Sequence, residues 1–298
     1  MHNITIFNRY TNQLEQEAIF GRSFLGFAYC NALGRLTISS LIKRKLFSIL
    51  YSKYAKSPLS TQQIKPFVEK FGIRVGSLEK KISDFKSFND FFCRKLKPRA
   101  RPIAPATDAI IAPSDGRMLA FESIEDTTPF FVKGEKMSIV ALTKNSELAN
   151  KFRNCSMLIS RLSPTDYHHF HFPVDCVPQR TYLIDGEYSS IHPLAMRGRF
   201  VTFLQNKRMS TLLQTKLCDE ILMVEVGATC VGSIRQTFVP FQETLKGAEK
   251  GYFQFGGSTV ILLFKRGSLK FSEDLLKNTK DGIETYILMG DSIATAMP

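Results

Sequence analysis

Phe253-Gln254-Phe255-Gly256-Gly257-Ser258-Thr259-Val260-Ile261-Leu262-Leu263-Phe264 reads as two buried β-strands interrupted at a pair of glycines. Glycine inside a strand pattern weakens the strand and marks a bend, a bulge or a close approach of backbone. Ser258 follows directly, so its hydroxyl can turn back on the carbonyl of Gly257, the residue before it. With a base and a pocket for the oxyanion, that arrangement supports an N→O acyl shift, in which the chain cuts its own peptide bond. The plain alternative for Gly-Gly-Ser is a tight turn. The surroundings must decide.

Working outward, short apolar runs separated by turn residues continue through the C-terminal two thirds. They include Ala109–Ile111, Met118–Phe121, Ser156–Ser160 and Glu220–Val226. Closely spaced strands of this kind predict a mainly β domain closed as a barrel or sandwich. The long alternating helices of a Rossmann sheet are missing from the pattern. Before them, Leu96-Lys97-Pro98-Arg99-Ala100-Arg101-Pro102 is a basic, proline-punctuated linker. We therefore expect an α+β protein, with residues 1–95 a helical, membrane-associating region and residues 96–298 the mainly β catalytic domain.

The first region is helix-like over 12–56. Ile38, Leu41, Ile42, Leu46, Ile49, Leu50 and Tyr54 recur at helical spacing, while Lys43, Arg44, Lys45 and Lys53 fall largely elsewhere on the wheel. Phe20, Phe24, Leu25 and Phe27 add an apolar cluster beside Arg22 and Arg35. Such a segment either packs on the rest of the protein or lies in a lipid interface, its cations drawn to anionic headgroups. Ser60 or Thr61 is expected to cap a second helix, and a short one is expected around Phe88–Phe92.

Composition narrows the class. The 298 residues carry a formal charge of +13, which points to an anionic partner: nucleic acid, an anionic membrane or a phosphate-bearing substrate. Cys30, Cys93, Cys155, Cys176, Cys218 and Cys230 contain no Cys-x-x-Cys pair, against a zinc ribbon or a disulfide scaffold and in keeping with a reducing cytosol. No apolar run approaches the roughly 18–20 residues of a membrane span, and Met1-His2-Asn3 does not open a secretory signal. The protein is expected to stay in the cytoplasm, soluble or surface-bound.

Three of the five histidines crowd into Tyr167-His168-His169-Phe170-His171-Phe172-Pro173. Acid–base chemistry, a structural role and a metal site are all open to such a cluster, although no cysteine or carboxylate group completes a metal set, and none is expected. Asp115, in Pro113-Ser114-Asp115-Gly116, is either a turn former or the carboxylate that orients a histidine. Lys246–Gly251 and Gly186–Pro193 read as structured loops, with His192 either packed or a substrate contact. Sequence spacing alone does not join Asp115, His171 and Ser258.

Taken in order, seven elements carry a resemblance: Phe88–Arg94, Pro113–Gly116, Val132–Glu135, Tyr167–Pro173, Gly186–Tyr188 with Ile191–Pro193, Lys246–Gly251 and Gly257–Thr259. Together they resemble the phosphatidylserine decarboxylases, a family of pyruvoyl-dependent membrane enzymes. The frequent Leu-Gly-Ser-Thr form is Gly256-Gly257-Ser258-Thr259 here, and Asn206-Lys207-Arg208 stands where many members carry Asn-Glu-Arg.

The resemblance implies that Asp115, His171 and Ser258 form a self-processing relay. His171 takes the Ser258 proton, Asp115 holds the imidazole tautomer, and Oγ attacks Gly257. The products are a β chain, 1–257, and an α chain, 258–298, headed by a covalent pyruvoyl group derived from Ser258. That group serves as cofactor through a Schiff base with the amine of phosphatidylserine, giving phosphatidylethanolamine and CO2 in phospholipid biosynthesis. His168 is implied in the decarboxylation step. The implied partners are phosphatidylserine, an anionic membrane surface and the non-covalent β/α heterodimer, with a higher oligomer open and no nucleic acid. A Ser-His-Asp hydrolase would want a Gly-x-Ser-x-Gly elbow, which Thr259-Val260 does not supply. A non-catalytic basic protein binding anionic lipid or nucleic acid through charge is the alternative from another class.

Overall fold

The computed structural model describes residues 4–17, 52–124, 138–186, 206–227, 234–256 and 258–297. Most of the 12–56 segment, Val132–Glu135, Glu187–His192, Cys30, Cys230 and Gly257 lie outside the described residues.

The apolar runs of the C-terminal two thirds become the middle of a ten-stranded sheet. Its spatial order is β2 (Gln13–Gln16), β1 (Thr5–Asn8), β15 (Glu284–Ile287), β4 (Gly116–Phe121), β5 (Ser156–Leu162), β13 (Ser258–Phe264), β10 (Glu220–Gly227), β9 (Arg208–Thr215) and β7 (Cys176–Pro178). The tenth strand, β8 (Tyr182–Ile184), also pairs with β9. All of these pairings are antiparallel except β1 with β15, so the sheet is mixed. Two three-stranded sheets complete the β structure of the described residues: β11 (Ile234–Gln236), β12 (Glu249–Phe253) and β6 (His169–His171), then β14 (Leu269–Phe271), β16 (Ser292–Ala296) and β3 (Ala109–Ile111).

The central strands are continuous apolar runs because both faces of the large sheet are covered. Side chains alternate between two cores. Val260, Leu262 and Phe264 of β13 enter one, with Ile221 and Met223 of β10 and Leu158 and Leu162 of β5. That core also takes Phe170 and Phe172, Phe253, and Phe271, so the small sheets pack over this face. Ile261, Leu263, Leu222, Val224, Met157 and Ile159 enter the other. There they meet Ile139 and Leu142 of a short helix and Phe152 just beyond the next one.

Five α-helices are needed to place these parts: α1 (Ile64–Phe71), α2 (Phe88–Phe92), α3 (Ile139–Thr143), α4 (Ser146–Lys151) and α5 (Glu273–Lys280). Helices α1 and α2 share a third core of Phe67, Phe85, Phe88, Phe91, Phe92 and Phe255. Ser87 caps α2 by accepting from Asp90 N at 3.1 Å, as its position before an apolar run predicts.

Three expectations change. Among the described residues no sheet closes into a barrel: β2 and β7 end the large sheet as separate edges, and the architecture is packed layers. Gln13–Gln16, read as the start of a helix, is a strand. Asn12 turns at φ 55°, β2 folds back on β1, and β1 docks beside β15. Local periodicity is a weak prior, and a sheet edge that supplies backbone partners overrides it. Finally, neither Ser60 nor Thr61 is an N-cap. Pro58 starts a 3-10 turn, and Ser60 Oγ is buried, accepting from Phe88 N at 2.8 Å and so tying that turn to α2.

Candidate active site

Ser258 opens β13 in the middle of the large sheet, facing Leu162 of β5 and Gly227 of β10 in register. It is fully buried, and its Oγ has no hydrogen-bond partner among the described residues. An unpaired buried hydroxyl costs about 1–3 kcal/mol, a cost that a functional role can explain. The approach to it is fixed from outside the sheet. Phe255 N donates to Asn89 Oδ1 of α2 at 3.1 Å, and the Phe255 ring packs on Phe88 and Phe92 at 5.4 and 5.0 Å. Gly256 then adopts φ 142°, a conformation that suits glycine. The Phe-Asn-Asp-Phe-Phe element therefore clamps the segment immediately before the Gly257–Ser258 bond.

The strand opposite Ser258 is held by the Asn206–Arg208 segment. Asn206 Nδ2 donates to Gly227 O at 2.8 Å, and Gly227 N donates to Lys207 O at 2.9 Å. Arg208 is buried with its guanidinium on the carbonyls of Ala141, Leu142 and Asn206. Here the asparagine and arginine are structural, and they brace Gly227 against the start of β13.

His168 lies at the end of the turn that leaves β5 after Leu162, the register partner of Ser258. Its Nδ1 faces Asp166 O at 2.9 Å. A carbonyl only accepts, so Nδ1 carries the proton and Nε2 the lone pair. Nε2 is buried and unpartnered, and the ring lies 3.8 Å from that of Phe92. Burial, reinforced by the charge of Arg94, pulls its pKa well below the ordinary 6.5, so this imidazole is neutral.

His171 is neutral for a similar reason, burial again lowering its pKa. Its Nδ1 donates to Gly247 O at 2.9 Å, and Nε2 accepts from Tyr167 Oη at 3.2 Å. Gly247 aims its carbonyl there from φ 83°, which gives the Lys246–Gly251 element a role. Burial raises the Tyr167 phenol, which stays a donor.

Asp115 is buried and accepts from Arg101 Nε at 2.8 Å and Nη2 at 2.5 Å, and from Met289 N at 2.9 Å. His171 N donates to Pro113 O at 2.7 Å, which brings the Asp115 turn against β6. The turn and the histidine strand are thus adjacent, and the negative charge of Asp115 is felt at His171. No hydrogen bond joins the Asp115 carboxylate to His171, or His171 to Ser258. The contacts that set the tautomer of His171 come from Gly247 and Tyr167 instead.

Several participants were not singled out by sequence: Arg101 from the basic linker, Tyr167, Gly247, Asn89 and Arg94. Each sits inside a quoted motif or the linker, so composition placed them near the site without indicating their contacts.

His169 lies between the rings of Tyr167 and Tyr252 at 4.9 and 5.1 Å. Its two nitrogens face Glu249 Oε2 at 2.9 Å and Cys93 O at 3.0 Å. Burial works against the charge of Glu249, but the bonds from His169 and Thr237 prevail and hold its pKa at about 2, below the ordinary 4.5. A lowered carboxylate pKa contributes stability that is present above the unfolded value and lost as pH falls through the folded one. Between pH 4.5 and about 2 the protein is expected to lose stability more steeply than its Glu249→Gln variant, in denaturation midpoints measured across that range. Parallel curves for the two proteins would remove Glu249 from this role.

A family model described as phosphatidylserine decarboxylase matches residues 88–295. The chain belongs to the phosphatidylserine decarboxylase family. It is 43% identical over 286 residues to a phosphatidylserine decarboxylase proenzyme of Chlamydia pneumoniae, covering 96% of this chain and 95% of that one. Proenzymes of the same name from Clostridium beijerinckii and Clostridium novyi are each 41% identical, over 292 and 294 residues, covering 98% and 99% of this chain and 99% and 100% of theirs. The matched span contains the whole run of motifs from Phe88 to Thr259. Membership makes the chain a pyruvoyl-dependent carboxy-lyase, made as a proenzyme.

Proposed function

We infer that the chain decarboxylates phosphatidylserine to phosphatidylethanolamine, using a pyruvoyl group made from its own Ser258. The observation that carries this is the placement of Ser258: an orphaned hydroxyl, buried in mid-sheet, directly after a glycine-rich bend clamped by α2. Thr259 Oγ1 beside it is likewise buried without a partner among the described residues, and what sets Ser258 apart is its place directly after the Gly256-Gly257 bend. The residues fit the group, since converting that side chain removes the unpaired O–H from the core.

In self-processing, Ser258 Oγ attacks the Gly257 carbonyl and His171 takes the proton. For this, Tyr167 must release Nε2, which Gly247 already keeps as the basic nitrogen. Asp115 then favours the resulting imidazolium through its charge. When formed, the pyruvoyl group supplies an electron sink for the carbon that loses CO2. Neutral His168, whose free Nε2 carries a lone pair, is the residue to take up a proton there and pass it to the reacting carbon. Phe92, Phe255 and the closed strands around Ser258 keep water out.

Cleavage would not release the 258–298 chain. Its first strand, β13, lies between β5 and β10, β15 lies between β1 and β4, and β16 between β14 and β3. Five ladders to the 1–257 chain (β13 with β5 and β10, β15 with β1 and β4, β16 with β3) and two apolar cores support a non-covalent β/α heterodimer. No helix among the described residues is long and apolar enough to cross a membrane, and we place the enzyme peripherally on the cytoplasmic face. The basic, phenylalanine-rich part of residues 1–95 would supply the lipid contact, and 96–298, completed by α2, Arg94 and the β1–β2 hairpin packed against it, the catalytic unit.

The test is an intact-mass spectrum of purified protein with a CO2-release assay on phosphatidylserine vesicles. Two chains, 1–257 and 258–298, with the second headed by a pyruvoyl mass, are expected. Full decarboxylation by one uncut chain overturns the assignment.

A further inference from the structure

Arg94 follows α2 and is buried, with 4% of its surface exposed. Its Nη2 donates to Thr165 O and Asp166 O, each at 2.6 Å, and its guanidinium lies 5.1 Å from the Phe91 ring. Its Nη1 is buried with no partner among the described residues. The nearby carboxylates are spoken for. Asp166 is paired with Arg117 and accepts from Ser163 N at 2.7 Å, while Asp115 is held by Arg101. Burial lowers the Arg94 pKa only to about 10, so the charge persists at neutral pH.

A buried guanidinium with an idle N–H is costly unless an anion completes it. Its location says which site it serves. Arg94 Nη2 and His168 Nδ1 share one acceptor, Asp166 O. The turn bearing that carbonyl leaves β5 beside Leu162, opposite Ser258. The unpaired donor therefore stands at the same end of the sheet as the unpaired Ser258 Oγ and His168 Nε2.

We propose that Arg94 Nη1 binds the phosphodiester of the substrate headgroup. This rests on the decarboxylase reading above. The substrate offers two anions, and the chemistry separates them. An ion pair on the carboxylate is lost as CO2 departs, so it would hold the ground state more tightly than the transition state and slow the reaction. The phosphodiester keeps its charge throughout. Arg94 thus anchors the headgroup, with His168 left free for the reacting carbon.

The test uses processed wild-type enzyme and its Arg94→Gln variant. Calorimetric titration with sn-glycero-3-phosphoethanolamine, which has the phosphodiester and no carboxylate, is expected to show affinity falling roughly 10- to 100-fold in the variant. KM for short-chain phosphatidylserine should rise similarly, with a smaller change in kcat. A purely structural Arg94 would disturb His168 and lower kcat while leaving this titration unmoved. Equal binding of the glycerophosphodiester by both proteins overturns the proposal. Should Arg94→Gln remain uncleaved, phenylglyoxal labelling of wild-type Arg94, read by peptide mass, decides instead. Protection by the same glycerophosphodiester supports it, and undiminished labelling overturns it. CO2 release by the wild type reports separately on the decarboxylase reading.

Discussion

Ser258→Ala is expected to yield a single uncut chain with decarboxylation at background, and a thermal midpoint no lower than that of a wild-type proenzyme. The two halves of that outcome come from one observation. The Ser258 side chain is fully buried and its Oγ has no partner. Removing an unsatisfied hydroxyl deletes a desolvation penalty of about 1–3 kcal/mol and leaves only a hydroxyl-sized gap. The backbone ladder to Leu162 and Gly227 does not involve the side chain. Folding should therefore survive while the chemistry disappears. Electrophoresis reads cleavage, CO2 capture reads activity, and differential scanning calorimetry reads stability. Wild-type turnover by the alanine variant would leave the self-made cofactor without a source. A large drop in melting temperature would instead mean that the hydroxyl is structural.

The second large effect concerns stability. Lys250 and Glu225 are both fully buried, joined at 2.8 Å. Lys250 Nζ also donates to Gln236 Oε1 at 2.9 Å and lies 5.6 and 5.0 Å from the rings of Phe170 and Phe238. Glu225 accepts a further bond from Gln236 at 2.8 Å. Burial pushes the carboxyl of Glu225 up and the ammonium of Lys250 down, each opposed by the other's charge. Lys250→Met strands the carboxylate in an apolar layer and is expected to cost about 3–5 kcal/mol. Lys250→Met combined with Glu225→Leu should recover much of that, because a well-packed apolar pair can replace a buried ion pair. Urea denaturation of the Ser258→Ala background keeps cleavage out of the comparison. A single variant as stable as its parent would show that water reaches the pair.

The strand content of the C-terminal region was readable because it depends on local pattern. Ala109–Ile111 is β3 as expected, and the runs at 118–121, 156–160 and 220–226 lie inside β4, β5 and β10. The N-terminal hairpin was not, since Gln13–Gln16 has no strand signature of its own and becomes one by pairing with β1. Burial of Glu17 depends on the same docking. Its carboxylate reaches Arg117 of β4 and Arg161 of β5, at 3.0 and 2.9 Å, residues a hundred or more positions away.

The candidate site divides in the same way. Candidate residues for the chemistry were legible from residue type and order: a serine after Gly-Gly, a histidine cluster, an aspartate in a turn, all within one family's run of motifs. Who touches whom was not. The tautomer of His168 comes from Asp166 O, that of His171 from Gly247 O, and the carboxylate of Asp115 is taken by Arg101. Backbone carbonyls are present at every position, so sequence carries no mark of the few that end up beside an imidazole. Sequence by itself determined the family and the strand content of the C-terminal region, and it pointed to Gly257–Ser258 as the bond to be cut. Tertiary structure alone decided that Ser258 is dry and unpartnered, and that Arg94 has a charge to spare, because burial and pairing are properties of the packed chain.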